Sequence, residues 1–346
     1  MNDSPNILLM MALQGKMISR MIADIADIGI ADLLTEGRKS VTELAEKTST
    51  NEDALYRVLR AISAIGVFKE TGGRQFENNE ASMLLISNVP GTLRDFLRWI
   101  NCKPFWNACG DFDYSLKTGQ SAFSKANGNP LFEYLKDHED IAKLFNDAMT
   151  SASSVTGPIV ADTYDFSGFK TIVDIGGGHG SLLAAIITKY PHLRGVVFDL
   201  PEVIQSANLG EFNNKIDFQA GNFFEGVPKG ADIYIIKHII HDWDDEHCVK
   251  LLKHCCDAMS DEGKVLLVEQ LITDAPESVF AKLLDIEMLA ITHSGRERTV
   301  AEFKELFTKA GLKLSRVVPT RQTSICIVEA TLTIDHFLSQ NKVLNS

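Results

Sequence analysis

The chain has 346 residues, 45% hydrophobic and 23% charged, which is ordinary for a soluble globular protein and long enough for two domains. A net charge of -12 argues against nucleic acid or an anionic membrane surface as its main partner. No apolar run approaches the roughly 20 residues that span a bilayer, the start lacks the charged-then-apolar order of a signal peptide, and the six cysteines show no Cys-x-x-Cys spacing. A cytoplasmic protein with reduced thiols is expected.

Residues 6 to 34 place Leu9, Leu13, Met17, Met21, Ile25 and Ile28 at helical spacing with few charges, so one or two helices apolar on more than one side are expected. Such a helix needs cover, from its own chain or from a second copy. Ser40 and Glu43 then read as a capping box opening a helix to Thr48. A second helix follows with Leu55, Val58, Leu59, Ile62 and Ile65 on one face, and 67–77 reads as a hairpin. Helix, turn, helix, hairpin is a winged-helix outline. DNA binding is disfavoured there, because Thr35 to Leu85 carries seven basic against eight acidic residues, a net of -1, and the second helix opens on Glu52 and Asp53. Residues 82 to 165 read as a helical connector rich in aromatic residues, Trp99, Phe105, Trp106 and Phe145 among them, either core or the wall of an apolar pocket.

At Thr171 the pattern changes. Ile172, Val173 and Ile175 form a short apolar strand that breaks into Gly176-Gly-Gly-His-Gly180, and a helix runs from Leu182 to Tyr190 before Pro191. Strand, glycine turn and helix make a ligand site at the carboxyl end of the first strand of an open α/β sheet. The spacing is Gly-x-Gly-x-Gly with Asp174 just ahead, and a carboxylate there suits a cationic amino-acid moiety better than a pyrophosphate, which favours S-adenosylmethionine over NAD. Asp199 ends the next strand, 19 positions after Gly180, where such folds put the carboxylate for ribose hydroxyls. Further strands over 216–218, 232–237 and 264–269, with an antiparallel pair over 313–318 and 324–330, fit a seven-stranded methyltransferase sheet.

After the fourth strand comes Lys237-His-Ile-Ile-His-Asp-Trp243. His238 and His241 without a clear third ligand are weak as a zinc motif. A histidine general base suits methyl transfer to a hydroxyl, and Glu269 and Glu297 either orient such an imidazole or pair with neighbouring arginines.

Taken with Val-Asp-Ile-Gly-Gly-Gly-His-Gly at 173–180, Phe-Asp-Leu-Pro at 198–201, Gly-Asn-Phe-Phe at 221–224, Val-Glu-Gln at 268–270, Gly-Arg-Glu-Arg-Thr at 295–299 and Phe145-Asn-Asp-Ala-Met149, these residues make the sequence similar to S-adenosylmethionine-dependent O-methyltransferases. The similarity is to the plant caffeic-acid, acetylserotonin and bacterial natural-product type. It implies an α/β protein: a Rossmann-like seven-stranded methyltransferase sheet with an amino-terminal all-helical winged-helix dimerisation domain. The expected division is 1–100 for dimerisation, 101–165 for a helical connector contributing to the substrate pocket, 166–332 for the methyltransferase domain and 333–346 for a polar tail.

The resemblance further implies methyl transfer to a small phenolic acceptor by a homodimer, without a metal, with one subunit's amino-terminal domain helping to close the other's pocket. His241 would be the base, held by Glu269 and Glu297. Asp174, Gly176, Gly178, Asp199, Leu200, Asn222, Phe223, Lys237 and Trp243 would contact S-adenosylmethionine, and Trp106, Phe145, Met149, Asp242 and Met288 the acceptor. One departure stands out: the family usually has Gly-Asp where this chain has Gly221-Asn222, an amide whose carbonyl can still accept from an adenine amino group. Alternatives are C- or N-methyl transfer on the same fold, a NAD-dependent reductase, whose third glycine would come one residue later, and a non-catalytic regulator.

Overall fold

A computed structural model of the protein describes residues 5–207, 214–275, 278–321 and 325–333; apart from Thr333 the expected polar tail lies outside them. The chain gathers into two units, one from residues up to Trp106 with Glu139–Ala152, the other from Asn107–His138 with the chain from Ser153 onward. The stretch expected as a connector is thus shared between them.

In the first unit the apolar periodicity yields a helix over Pro5–Asp27, and Gly29, at a φ of +72° that favours glycine, turns the chain into a short helix over Ile30–Leu33. The second half of the long helix buries Ala23, Ile25 and Ala26, while Leu8, Leu9, Met10, Leu13 and Met17 stay 49% to 75% exposed. The capping box forms as expected: the Ser40 hydroxyl accepts the Glu43 N–H, the Glu43 carboxylate accepts the Ser40 N–H, and the helix Val41–Thr48 follows. Asn51 caps Glu52–Ala64, which buries Leu55, Leu59 and Ile62. Ile65 does not share that face. The helix stops at Ala64, Gly66 turns away at φ +96°, and Ile65 is left exposed. Strands β1 (Lys39–Ser40), β2 (Lys69–Gly72) and β3 (Gln75–Glu77) pair antiparallel in the order β1-β3-β2 and supply the wing. Phe68 and Phe76 close this core over Ile30 and Leu44, each apolar side chain contributing about 1.5–3 kcal/mol by its burial.

In the second unit, runs of Val, Ile and Leu form strands apolar on both faces, as sheets covered by helices on both sides require. These are β4 (Thr171–Ile175), β5 (Arg194–Asp199), β6 (Ile216–Ala220), β7 (Ile233–Lys237), β8 (Lys264–Gln270), β9 (Leu312–Pro319) and β10 (Ile325–Leu332), in the order β6-β5-β4-β7-β8-β10-β9. The first five are parallel, and β10 runs antiparallel between β8 and β9. Alternation along the strands divides the core. Ile175, Ile236, Val265 and Leu267 pack with the helices Asp245–Ala258 and Val300–Ala310, while Ile172, Ile233, Ile235 and Leu266 pack with Ser181–Lys189. The parallel strands therefore present their carboxyl ends along one edge, beside β4 where the strand order reverses.

Candidate active site

Immediately after β4 the chain makes its glycine turn, with Gly176, Gly178 and Gly180 at φ of +66°, +58° and +81°. A Cβ on the intervening Gly177 would stand 2.8 Å from the Asp174 carboxylate. Asp174 is 2% exposed and its Oδ2 has no hydrogen-bond partner, so burial pushes its carboxyl up to about 7 against the opposing pull of Lys237. An orphaned buried carboxylate oxygen at the mouth of a glycine turn is a place for a ligand cation. At the end of β5, Asp199 Oδ2 accepts the Gly178 N–H at 2.8 Å and Oδ1 accepts the Leu200 N–H at 2.7 Å, which fixes the carboxylate and leaves a lone pair on each oxygen. Leu200 itself precedes the helix Pro201–Ser206 in extended conformation.

Beyond β6, Asn222 Oδ1 accepts the Phe224 N–H at 2.9 Å and Nδ2 donates to Glu225 at 3.1 Å. The amide carbonyl expected to meet a ligand is thus engaged in a local turn with one lone pair to spare. Phe223 and Phe224 stand edge-on to Trp243, and Phe132 stacks on it with ring centres 5.7 Å apart. Lys237 closes β7; burial lowers its pKa, opposed by Asp174, Glu269 and Asp242 around it.

His241 lies in a 3-10 turn over Ile240–Asp242 and is 9% exposed. Its Nδ1 is 2.7 Å from Glu297 Oε1, so in the neutral ring the proton belongs on Nδ1 and the lone pair on Nε2. Nε2 has Asp242 Oδ1 at 3.7 Å. Glu269, fully buried in β8, is placed differently. Its Oε1 accepts the N–H groups of Ile239 and Ile240 at 3.2 and 3.0 Å, and its Oε2 lies 3.8 Å from His241 Nδ1. Glu297 therefore orients the ring, while Glu269 holds the turn that carries it. Burial opposes charge on His241, but Asp242, Glu269 and Glu297 outweigh it and raise the imidazole pKa to about 10. Burial likewise raises Asp242 to about 7.

Three supports escaped the sequence pattern. Arg298, 1% exposed, donates from Nη1 to the Ile240 carbonyl and from Nη2 to that of Trp243, both at 2.8 Å, and from Nη2 to Asp245 at 2.9 Å. A Cβ on Gly295 would overlap the His241 carbonyl. Asp285 accepts the Glu297 N–H at 2.9 Å. Only the abutting Arg-Glu-Arg charges hinted at any of this, since the contacts of Arg298 and Gly295 bring together segments more than 50 residues apart and that of Asp285 spans 12 residues. Arg298→Met removes the charged donor from both carbonyls, leaving the Cys248 thiol between them and the Trp243 N–H on that of Ile240, and is expected to destabilise the fold by about 1–3 kcal/mol, read as a lowered midpoint in urea unfolding.

Of the side chains expected around an acceptor, Asp242 and Met288 belong to the second unit, with Met288 buried on the helix Val279–Ile291. Trp106, Phe145 and Met149 belong to the first, where Phe145 stands edge-on to Trp99 at 5.1 Å.

Comparisons with known proteins identify the family. A family model of the O-methyltransferase domain matches residues 111–313 and one of the O-methyltransferase dimerisation domain matches residues 10–88. A phenazine O-methyltransferase of Lysobacter antibioticus is 38% identical over 93% of this chain and 95% of its own. The mitomycin biosynthesis 6-O-methyltransferase of Streptomyces lavendulae is 36% identical over 92% of each chain. Among solved structures, human N-acetylserotonin methyltransferase in complex with S-adenosylmethionine superposes with a TM-score of 0.87 at 27% identity, over 96% of this chain and 99% of that one.

Proposed function

The chain belongs to the S-adenosylmethionine-dependent O-methyltransferases, and from that premise we propose that it methylates a hydroxyl of a small aromatic metabolite with His241 as general base. The observation that carries this reading is the 2.7 Å bond from His241 Nδ1 to Glu297, which reserves Nε2 to accept a proton. S-adenosylmethionine supplies an electrophilic methyl on a sulfonium whose positive charge disfavours a second cation nearby. Asp174, with its orphaned oxygen, suits the amino-acid end of that ligand, and Asp199, with a free lone pair on each oxygen, suits the ribose. The turn Gly176–Gly178 leaves room between them; Leu200, Asn222, Phe223, Lys237 and Trp243 complete the proposed cofactor contacts.

His241 takes the hydroxyl proton as the oxygen attacks, Glu297 stabilises the imidazolium, and Met288 and Asp242 of the second unit hold the acceptor ring. An aromatic acceptor agrees with the phenazine and mitomycin for which the relatives are named. The reaction is read as metal-independent. His238, His241 and Glu269 bring ligand atoms within 4.8 Å of one another, a cluster whose proposed work is to hold and tune the base. The match to the dimerisation domain and the exposed Leu9, Leu13 and Met17 support a homodimer. Incubation with S-adenosylmethionine and a panel of phenols should give one methyl ether per S-adenosylhomocysteine. A folded protein that binds the donor and methylates only carbon or nitrogen acceptors would overturn the reading.

The carboxylates around His241 also set a pH dependence. Because they raise its pKa, the neutral base is scarce at low pH and kcat/KM should climb through an acid limb lying above the ~6.5 of a solvated imidazole. The limb of kcat should lie lower, since the donor's cation opposes the imidazolium. A pH profile of both parameters checks this, and a kcat/KM limb at or below ~6.5 contradicts it.

A further inference from the structure

His238 has no part in the chemistry described so far, yet it is the residue the site treats most unusually. It follows the last residue of β7 with φ at +52°, a left-handed conformation that glycine adopts freely and few other residues enter, histidine more readily than most. Strain of this kind persists where the surroundings hold the residue for a purpose. Its N–H donates to the Val268 carbonyl at 3.2 Å, which anchors the backbone beside β8. The side chain is 18% exposed and its ring centre lies 5.2 Å from that of His241.

Two buried polar atoms without hydrogen-bond partners face each other here. His238 Nδ1 is one and Glu269 Oε2 is the other, 3.6 Å apart. That is just beyond hydrogen-bond range, and a shift of about 0.5 Å closes it. The same Oε2 lies 3.8 Å from His241 Nδ1, while Oε1 is tied to the Ile239 and Ile240 N–H groups. Glu269 thus has one anchored oxygen and one oxygen set between two imidazoles.

We propose that His238 is a positioning residue of the methyl transfer: as a neutral imidazole it donates from Nδ1 to Glu269 Oε2 and limits how strongly that carboxylate favours the His241 imidazolium. This rests on the reading of His241 as the base. The groups that face His241 are Asp242 on its own turn, Lys237 and His238 at the end of β7, Glu269 of β8, Glu287 of the helix Val279–Ile291 and Glu297 before the helix Val300–Ala310. Burial raises Asp242 and Glu287 to about 7 and pushes Glu297 up as well, whereas Glu269 stays ionised, and together these groups would leave the base protonated and idle over much of the neutral range. A donor on Glu269 offsets part of that effect without adding a charge. His238 can serve because it stays neutral: burial, aided by Lys237 and His241, holds its pKa down at about 4 against the attraction of Glu269. The donor is then present throughout the pH range in which His241 changes charge.

The test is the pH profile of kcat/KM for the whole chain and four variants. His238→Phe keeps the bulk, excludes water and removes the donor; its acid limb should move up by about one pH unit, a loss of about tenfold at pH values below the limb, with activity restored at high pH. His238→Gly relieves the left-handed strain, guards against misfolding and should also move the limb up. His238→Asn tolerates that backbone and restores an N–H donor, so its limb should return towards wild type. A purely structural role would lower activity at every pH without moving the limb. An unmoved limb in both the Phe and Gly variants, or an Asn variant no better than Phe, overturns the proposal. His241→Gln separates the two readings: if its acid limb persists, the base assignment itself fails, whereas a limb lost there but unmoved in the His238 variants removes His238 alone.

Discussion

Replacing His241 with glutamine is expected to lower kcat by roughly 10²- to 10⁴-fold while leaving affinity for S-adenosylhomocysteine unchanged. Glutamine is the informative choice because its amide can still donate to Glu297 Oε1, which His241 Nδ1 now meets at 2.7 Å, so no buried carboxylate is stranded. What disappears is the Nε2 lone pair. The cofactor contacts proposed on Asp174 and Asp199 lie on β4 and β5, and neither hydrogen-bonds to His241. Steady-state kinetics beside calorimetric titration with S-adenosylhomocysteine separates the two quantities. Loss of both together would mean that the turn over Ile240–Asp242 had collapsed, and equal kcat would mean that the ring takes no proton.

Glu297→Gln should be comparably damaging for a different reason, roughly 10²- to 10⁴-fold in kcat with little change in stability. The substituted amide can turn its NH₂ group towards Nδ1. The imidazole then keeps its proton on Nε2, where the hydroxyl proton has to go, and the counter-charge for the imidazolium is lost as well. Glu297 is fixed from outside by Asp285 on its N–H, so the backbone has no cause to move. Glu297→Asp retains charge and acceptor at a shorter reach and should fall between wild type and Gln. A Gln variant whose defect lies wholly in KM would argue that Glu297 contacts the acceptor and does not set the tautomer.

What the sequence disclosed and what it concealed follow from how local each feature is. The glycine turn, the Ser40 capping box and the apolar strands depend on neighbours a few residues away, and they appear within a residue or two of where periodicity places them. Asp199 was legible because one β-α-β unit has a nearly fixed length. The division of labour between Glu269 and Glu297 was not, since both are acids near His241 and only coordinates separate a 2.7 Å bond from a 3.8 Å approach. Arg298 was hidden likewise, because its partners are backbone carbonyls, which carry no mark in the sequence. Asn222 could be recognised as a departure, whereas its engagement with Phe224 could not. Ile65 misled because helical spacing continues past a helix that Gly66 has already ended.

The most direct test of the account is the dependence of methyl transfer on acceptor acidity, measured in single turnovers for wild type and His241→Gln across phenols of graded pKa at one pH. If His241 removes the proton, the deficit of the variant should be near 10²- to 10⁴-fold for weakly acidic phenols and shrink towards unity for phenols already ionised at the assay pH. A deficit that stays constant across the series would contradict the account, because the lost imidazole would then be serving something other than deprotonation of the acceptor.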